Sequence, residues 1–437
     1  MTNFANKKVA VIGLGIEGKD AIAYLLTKGA NVTLYDKKTE NELDFSGIDI
    51  TKISLVCGTD YFKKGIVGFD FIVRSPGVYP YILEILEAQK NGAIVTSATK
   101  IFFDECPGRI IGVTGTKGKG TTSTLIYKIL EEDGRDVYLS GNIGKPSLEL
   151  LPKLNKDSWV VMELSSFQLI DLTKSPHIAV VLNITEDHMD WHKDREEYVE
   201  TKKNIVNHQI SSDFSVINSE YETPISFGNL GDGKKIFFSK HTLNTKYKKD
   251  LLLKGEHNLE NIAAAVEASK AVGVDERKIL KVVKSFKGLE HRLELVNENN
   301  GVKYYNDSFA TGPQPTIAAI NSFTEPETLI LGGSDKGLDY EELGQIISNK
   351  KNIDNVIVIG DTKVKILEVL KKFSFSGNII DMEYSPMPEI VEKASEISRP
   401  GSVVILSPAS ASFDMFKNYK DRGNQFKKAV FDLEKAV

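Results

Sequence analysis

The chain has 437 residues, enough for about three domains at roughly 150 residues each. Hydrophobic residues make up 41% and charged residues 26%, so the chain buries real cores, which excludes a disordered or fibrous protein. A net charge of −5 supplies no basic field for nucleic acid, and the isolated Cys57 and Cys106 exclude a disulfide frame and a zinc site.

Met1 to Lys8 lacks a basic region followed by an apolar one, so no signal peptide is expected and a reducing cytoplasm is the natural setting. The first segment reads β-α-β. Val9-Ala10-Val11-Ile12 is an apolar run, the turn Gly13–Gly18 follows, and Ala21, Ile22, Leu25 and Leu26 recur at helical spacing. Val32 to Tyr35 is a second strand ending at Asp36, and strands near Ser54–Cys57 and Phe69–Val73 complete a small unit by about Ser97. A second unit opens with the strand Arg109–Thr114, a glycine-rich turn, and a helix with Leu125, Ile126, Ile129 and Leu130 on one side. Strands Trp159–Leu164 and His177–Ile184 continue it. The longest apolar cluster, near Ala179–Leu182, is strand-like and far short of the ~20 residues of a membrane helix. Ser211 to Leu253 reads as an antiparallel appendage, and a helix over Leu259–Val272 follows. After Gly288, strands at Val302–Asn306, Thr328–Leu331, Val356–Ile359 and Val403–Leu406 alternate with amphipathic helices.

Two of these turns point to phosphate. Gly13-Leu14-Gly15-Ile16-Glu17-Gly18 joins a strand to a helix, and Asp36 follows 18 residues after Gly18, the layout of a dinucleotide loop with an acid for a ribose. In isolation it suggests an NAD-dependent dehydrogenase. Gly115-Thr116-Lys117-Gly118-Lys119-Gly120-Thr121-Thr122 has the context of a P-loop, whose amides cradle phosphates while Lys119 reaches the β,γ-phosphates. Gly120 stands where a P-loop has the Ser or Thr that ligates magnesium, so Thr121 or Thr122 takes that role, or a carboxylate such as Glu163 at a strand end. Asn183 to Asp190 ends a strand with a dense polar cluster in which His188 can ligate a metal. Lys202 shares a helical face with Tyr198, Val199, Ile205 and Val206, and burial there lowers its pKa.

Together the loop Gly115–Thr122, Gly141-Asn142-Ile143-Gly144, the run Glu163 to Gln168 and Thr185 to Asp190 resemble the Mur ligases. Arg74-Ser75-Pro76-Gly77-Val78, Asn306-Asp307-Ser308 with Ala310-Thr311, and Ser407–Phe416 leading to Arg422-Gly423-Asn424 are most similar to the members that add D-glutamate. The resemblance spans the whole chain. It implies an α/β protein of three domains: a Rossmann-like one over 1–97 for a UDP-sugar, a P-loop ATPase over 98–289, and a Rossmann-like one over 290–437 for the amino acid. It implies an ATP-dependent ligase that joins D-glutamate to UDP-N-acetylmuramoyl-L-alanine through an acyl phosphate, as a monomer.

Site roles carry over from the same resemblance. Gly15, Asp36, Ser75, Pro76, Gly77, Asn142 and Gln168 would meet the UDP-sugar. Gly115, Thr116, Lys117, Gly118, Lys119, Gly120 and Thr121 would hold ATP, flanked by Asn258, Asn261, Arg292 and Asp307. Thr121, Glu163, His188 and a carbamylated Lys202 would bind two magnesium ions. Thr311, Lys336, Ser412, Phe413 and Tyr419 would receive D-glutamate. The family usually has lysine where Phe309 stands, so Arg292 and Lys336 would carry more of the positive charge. Ligases adding another amino acid, folylpolyglutamate synthases and a non-enzymatic nucleotide-binding protein remain as rivals.

Overall fold

In a computed structural model the chain is described over residues 2–63, 65–253 and 255–433. Among the described residues, three sheets carry the architecture, each α/β with a parallel core. The first holds β1 (Lys8–Ile12), β2 (Asn31–Asp36), β3 (Ile53–Cys57), β4 (Phe71–Arg74) and β5 (Ile94–Ser97) in the order β3-β2-β1-β4-β5. All its pairs are parallel. The chain leaves β1 toward β2 on one side and has β4 on the other, so the glycine turn after Ile12 lies at the point where strand order reverses, the usual ligand crevice of such sheets.

The second sheet runs β11-β10-β9-β6-β8-β7, with β6 (Arg109–Thr114), β7 (Val137–Gly141), β8 (Trp159–Glu163), β9 (Ile178–Val181), β10 (Phe214–Asn218) and β11 (Lys234–Phe238). Here the structure corrects the sequence reading: the stretch after Ser211 is no antiparallel appendage. β10 pairs parallel with β9 and with β11 and extends the central sheet. Ser215, Val216, Ile217 and Asn218 are buried in succession, the pattern of a strand covered on both faces. The helix that follows starts three residues earlier than expected, Glu256–Ala271.

The third sheet, β12-β13-β17-β14-β15-β16, comprises β12 (Glu294–Asn299), β13 (Val302–Asn306), β14 (Glu327–Gly332), β15 (Ile353–Ile359), β16 (Asn378–Asp381) and β17 (Val403–Leu406). Its one antiparallel pair is β12 with β13, bulged between Leu295 and Asn297. Apolar clusters cover both faces, one around Leu329, Val356 and Ile405, the other around Ile330, Ile357 and Leu406.

The first two sheets belong to one compact unit, Met1–Lys246 with Glu260–Val283; the third belongs to another, Tyr247–Leu259 with Lys284–Val437. Within the first unit a single core runs from Val9, Leu25 and Phe71 to Leu148, Leu164 and Ile205. A buried ion pair ties its two sheets together. Arg74, with a fully buried side chain, meets Asp171 at 2.8 Å and also donates to the carbonyl of Phe167. No helix among the described residues is long and apolar enough to cross a membrane.

Candidate functional site

The first glycine turn is shaped by backbone crowding. A Cβ on Gly18 would stand 2.0 Å from the Gly13 carbonyl oxygen, and Gly13 itself sits at φ 89°. Asp36 braces the turn: its carboxylate accepts from Leu14 N at 2.7 Å and Lys38 N at 2.9 Å. Ser75 Oγ donates to the Gly13 carbonyl at 2.8 Å, and the carbonyl of the exposed Gly77 accepts from Trp191 Nε1 at 3.1 Å. Pro76 is half-buried and Gly15 exposed.

Glu17, inside this turn, reaches the loops of the second sheet. Gln168 Nε2 donates to it at 2.6 Å, while Gln168 Oε1 accepts from Ser165 N at 2.9 Å in a capping box. Burial pushes the Glu17 carboxyl up to about 7 despite that bond. Both ends of the Gln168 amide thus have protein partners. Exposed Asn142 donates its N–H to the carbonyl of Glu163, itself buried at the end of β8.

The second turn follows β6, between β9 and β8. Gly115 and Gly118 have φ of 153° and 86°, and a Cβ on Gly118 would meet Asn261 Oδ1 at 2.2 Å. The helix Lys119–Glu132 starts there and aims its amino end at the turn, as phosphate binding requires. Lys119 Nζ folds back on the carbonyls of Gly115 and Thr116, at 3.1 and 2.9 Å. Lys117 is exposed and Gly120 buried. Thr122 Oγ1 is committed to Asn261 at 3.3 Å, whereas Thr121 is half-buried on the first helical turn.

Lys202, on the helix Arg195–Asn207, is 1% exposed among Tyr198, Ile205 and Val206. Its Nζ donates to the Gly115 carbonyl at 3.1 Å and lies 4.6 Å from the Tyr198 ring centre. Burial, then the charge of Lys119, holds its pKa far below the usual lysine range, with Asp187 and Glu163 pulling the other way. Those two carboxylates therefore act on the same spot. Tyr198 also anchors the turn, its hydroxyl 2.9 Å from Thr116 Oγ1, which receives Thr185 N. His188 sits at φ 56°, exposed, with its ring 4.7 Å from that of Phe167. Among the described residues no group of three or more His, Cys, Asp or Glu side chains is gathered as a metal cage. The sequence reading placed Asp187 in the polar cluster and Tyr198 on the face of Lys202 but gave neither a site role.

In the other unit, the ends of β14 and β17 bring Lys336, Ser412 and Phe413 together. Ser334 N donates to the Ala411 carbonyl, Ser334 Oγ bonds Asp414, and Lys336 Nζ lies 5.9 Å from the Phe413 ring centre. Ser412 is buried and Phe413 exposed. Thr311 is half-buried after β13. The Tyr419 ring lies 4.9 Å from that of Phe309. Asp307 is buried against Ser407 Oγ at 2.7 Å, and burial raises its carboxyl to about 7. Arg292 is exposed. Asn258 and Asn261 are both buried on the helix Glu256–Ala271.

Residues 7–97 match the family profile "Mur ligase MurD-like, N-terminal domain", 113–250 "Mur ligase middle domain", and 291–410 "Mur ligase, glutamate ligase domain". The UDP-N-acetylmuramoylalanine–D-glutamate ligase of Acetivibrio thermocellus is 43% identical, covering 98% of this chain and 97% of its own. The enzyme of the same name from Clostridium botulinum (strain Langeland) is 39% identical over 97% and 96%. Among solved structures, MurC of Thermotoga maritima covers 99% of this chain and 100% of its own at a TM-score of 0.57 and 16% identity. MurF of the same organism, in complex with ADP, covers 99% and 96% at a TM-score of 0.57 and 18% identity, so both share the fold. With near full-length relatives at this identity, the chain belongs to the Mur ligase family.

Proposed function

We propose that the chain is an ATP-dependent ligase that joins D-glutamate to UDP-N-acetylmuramoyl-L-alanine in peptidoglycan precursor synthesis, working as a cytoplasmic monomer. The observation that carries the reading is the 43% identity to a D-glutamate ligase over nearly the whole chain. The turn at Lys119 supplies the chemistry. Residues 1–97 hold the UDP-sugar, 98–289 the ATP, and 290–437 the amino acid.

A carboxylate is a poor acyl donor because its leaving group would be oxide. The alanyl carboxylate therefore attacks the γ-phosphorus in line: an O–P bond forms, the bond to the β-phosphate oxygen breaks, and ADP leaves with the electron pair. Lys119, swung from its backbone carbonyls to the phosphates, neutralises charge that develops in transfer. The neutral amine of D-glutamate then attacks the acyl carbon; the C–N bond forms, phosphate leaves and the amine loses a proton. Magnesium, when bound, screens the phosphate oxygens.

The donors fit that hard cation only if Lys202 changes. Glu163 and the hydroxyl of Thr121 offer oxygen, and His188 nitrogen, but an amine is no ligand for magnesium. Neutral Lys202 would attack carbon dioxide, lose a proton and become a carbamate, an anionic oxygen donor that with Thr121, Glu163 and His188 would hold two magnesium ions. Asn258, Asn261, Arg292 and Asp307 flank the nucleotide; Asp36, Ser75, Asn142 and the first glycine turn receive the UDP-sugar. Lys336, Thr311, Ser412, Phe413 and Tyr419 take D-glutamate.

The test is mass spectrometry of the nucleotide-sugar after incubation with ATP, magnesium, UDP-N-acetylmuramoyl-L-alanine and D-glutamate. Addition of one glutamyl residue with ADP and phosphate is expected. An unmodified acceptor would refute the reading, and turnover of NAD would favour the dehydrogenase.

A further inference from the structure

Phe309 is a neutral aromatic ring, 40% exposed, in a turn otherwise tied down by polar groups. Its N–H donates to the His291 carbonyl at 3.0 Å, which binds the turn after β13 to the segment Glu290–Leu293. On one side of the ring lies Arg292, with its guanidinium carbon 4.0 Å from the ring centre. On another, Tyr419 meets the ring nearly perpendicular, at 88° and 4.9 Å. Tyr419 is itself fixed: its carbonyl accepts from Ser308 Oγ at 2.8 Å, and buried Arg422 donates to that same hydroxyl at 3.0 Å. The backbone that carries Arg292 is equally constrained, with His291 at φ 63° and Leu293 at φ 48°, and with Leu293 N bonded to Asp307 at 3.0 Å.

An exposed arginine ordinarily samples many rotamers, and ordering it costs side-chain entropy. Here the base of the side chain is held by its neighbours, and its head lies on a ring that packs edge-on against Tyr419. The planar, weakly hydrated guanidinium suits that face, whereas an ammonium would gain less from it.

We infer that Phe309 is a positioning residue that holds the Arg292 guanidinium ready for the anionic nucleotide, acting through Arg292 and not on the nucleotide itself. This rests on the reading above in which Arg292 serves ATP. Phenylalanine at this position adds no second positive charge; it fixes the direction of the first. Its contribution to nucleotide affinity is that of one cation–aromatic contact, roughly two- to thirtyfold.

A double-mutant cycle tests this, read as the Kd of ATP with magnesium by calorimetry, so that no ligation is needed. Phe309→Leu should weaken ATP binding two- to thirtyfold in the natural background and not at all in Arg292→Ala. Phe309→Tyr, which keeps the ring, should bind within about twofold of the natural protein. Equal weakening by Phe309→Leu in both backgrounds would mean that the ring touches the nucleotide directly, and would overturn the inference. So would an unchanged Kd in Phe309→Leu. Normal ATP binding without any glutamyl transfer would instead refute the proposed function while leaving the cycle readable.

Discussion

The side chains of Lys119 and Lys202 donate to one acceptor, the carbonyl oxygen of Gly115, each at 3.1 Å. Two ammonium groups so close would repel, and Lys202 is the more buried of the two. Lys202 is buried, and its pKa is lowered by burial first and by Lys119 second. The two lysines therefore differ: Lys119 is half-buried on the turn, while burial drives Lys202 toward the neutral amine.

Neutral Lys202 should carry carbon dioxide. Protein equilibrated with carbon-13 bicarbonate is expected to show a carbamate carbon resonance that is missing from Lys202→Ala. The Lys202→Ala protein should lose ligation, and acetate should restore part of it by supplying an anion. Full activity in Lys202→Ala without added acid would contradict this assignment.

Lys119→Ala should lower the rate of phosphate release by roughly 10²–10³-fold or more, the usual loss when a charge contact to a transition state is removed. Steady-state phosphate release with saturating substrates measures it.

Removing one partner of the buried pair Arg74–Asp171 leaves the other charge stranded, which typically costs about 3–5 kcal/mol. Arg74→Ala should therefore unfold at a visibly lower temperature than the natural protein in a thermal melt. Loss of activity without any such shift would point to a direct role for Arg74 in substrate binding.

Glu17 gives a pH dependence. Folded, its carboxyl keeps a proton up to about pH 7; unfolded, it releases it near 4.5. The folded state thus binds more protons in that window, and stability contributed by the protonated group is full below 4.5 and is lost as pH rises through about 7. Glu17→Gln keeps an acceptor for Gln168 and cannot ionise. Its melting temperature relative to the natural protein should rise between pH 5 and pH 8; a constant difference would mean that Glu17 is already ionised in the fold.

Both glycine turns were legible because each joins an apolar strand to a helix through glycines, and backbone crowding leaves few other residues possible there. Lys202 was legible because Tyr198, Ile205 and Val206 repeat at helical spacing around it. The partners of these groups were not. Gln168 meets Glu17 across 151 positions and Arg74 meets Asp171 across 97, and local spacing carries no trace of such pairs. The polar composition of β12 hid an edge strand, and Lys234 and Lys235 masked β11 as a member of the central sheet. The use of Asp36 to brace its own turn was equally hidden, since a carboxylate for a ribose and one for two backbone amides look alike in sequence.

The amino-acid partner is the most direct measure of the whole account. D-Glutamate carries two carboxylates, and Lys336 with the hydroxyl of Ser412 offers a cation and a donor; an acceptor with a side-chain ammonium would meet Lys336 as a like charge. Phosphate release from ATP should be compared with D-glutamate, L-glutamate and a diamino acid at one concentration, each with UDP-N-acetylmuramoyl-L-alanine. The account predicts release with D-glutamate far above that with the other two. Equal release with L-glutamate or the diamino acid would contradict it.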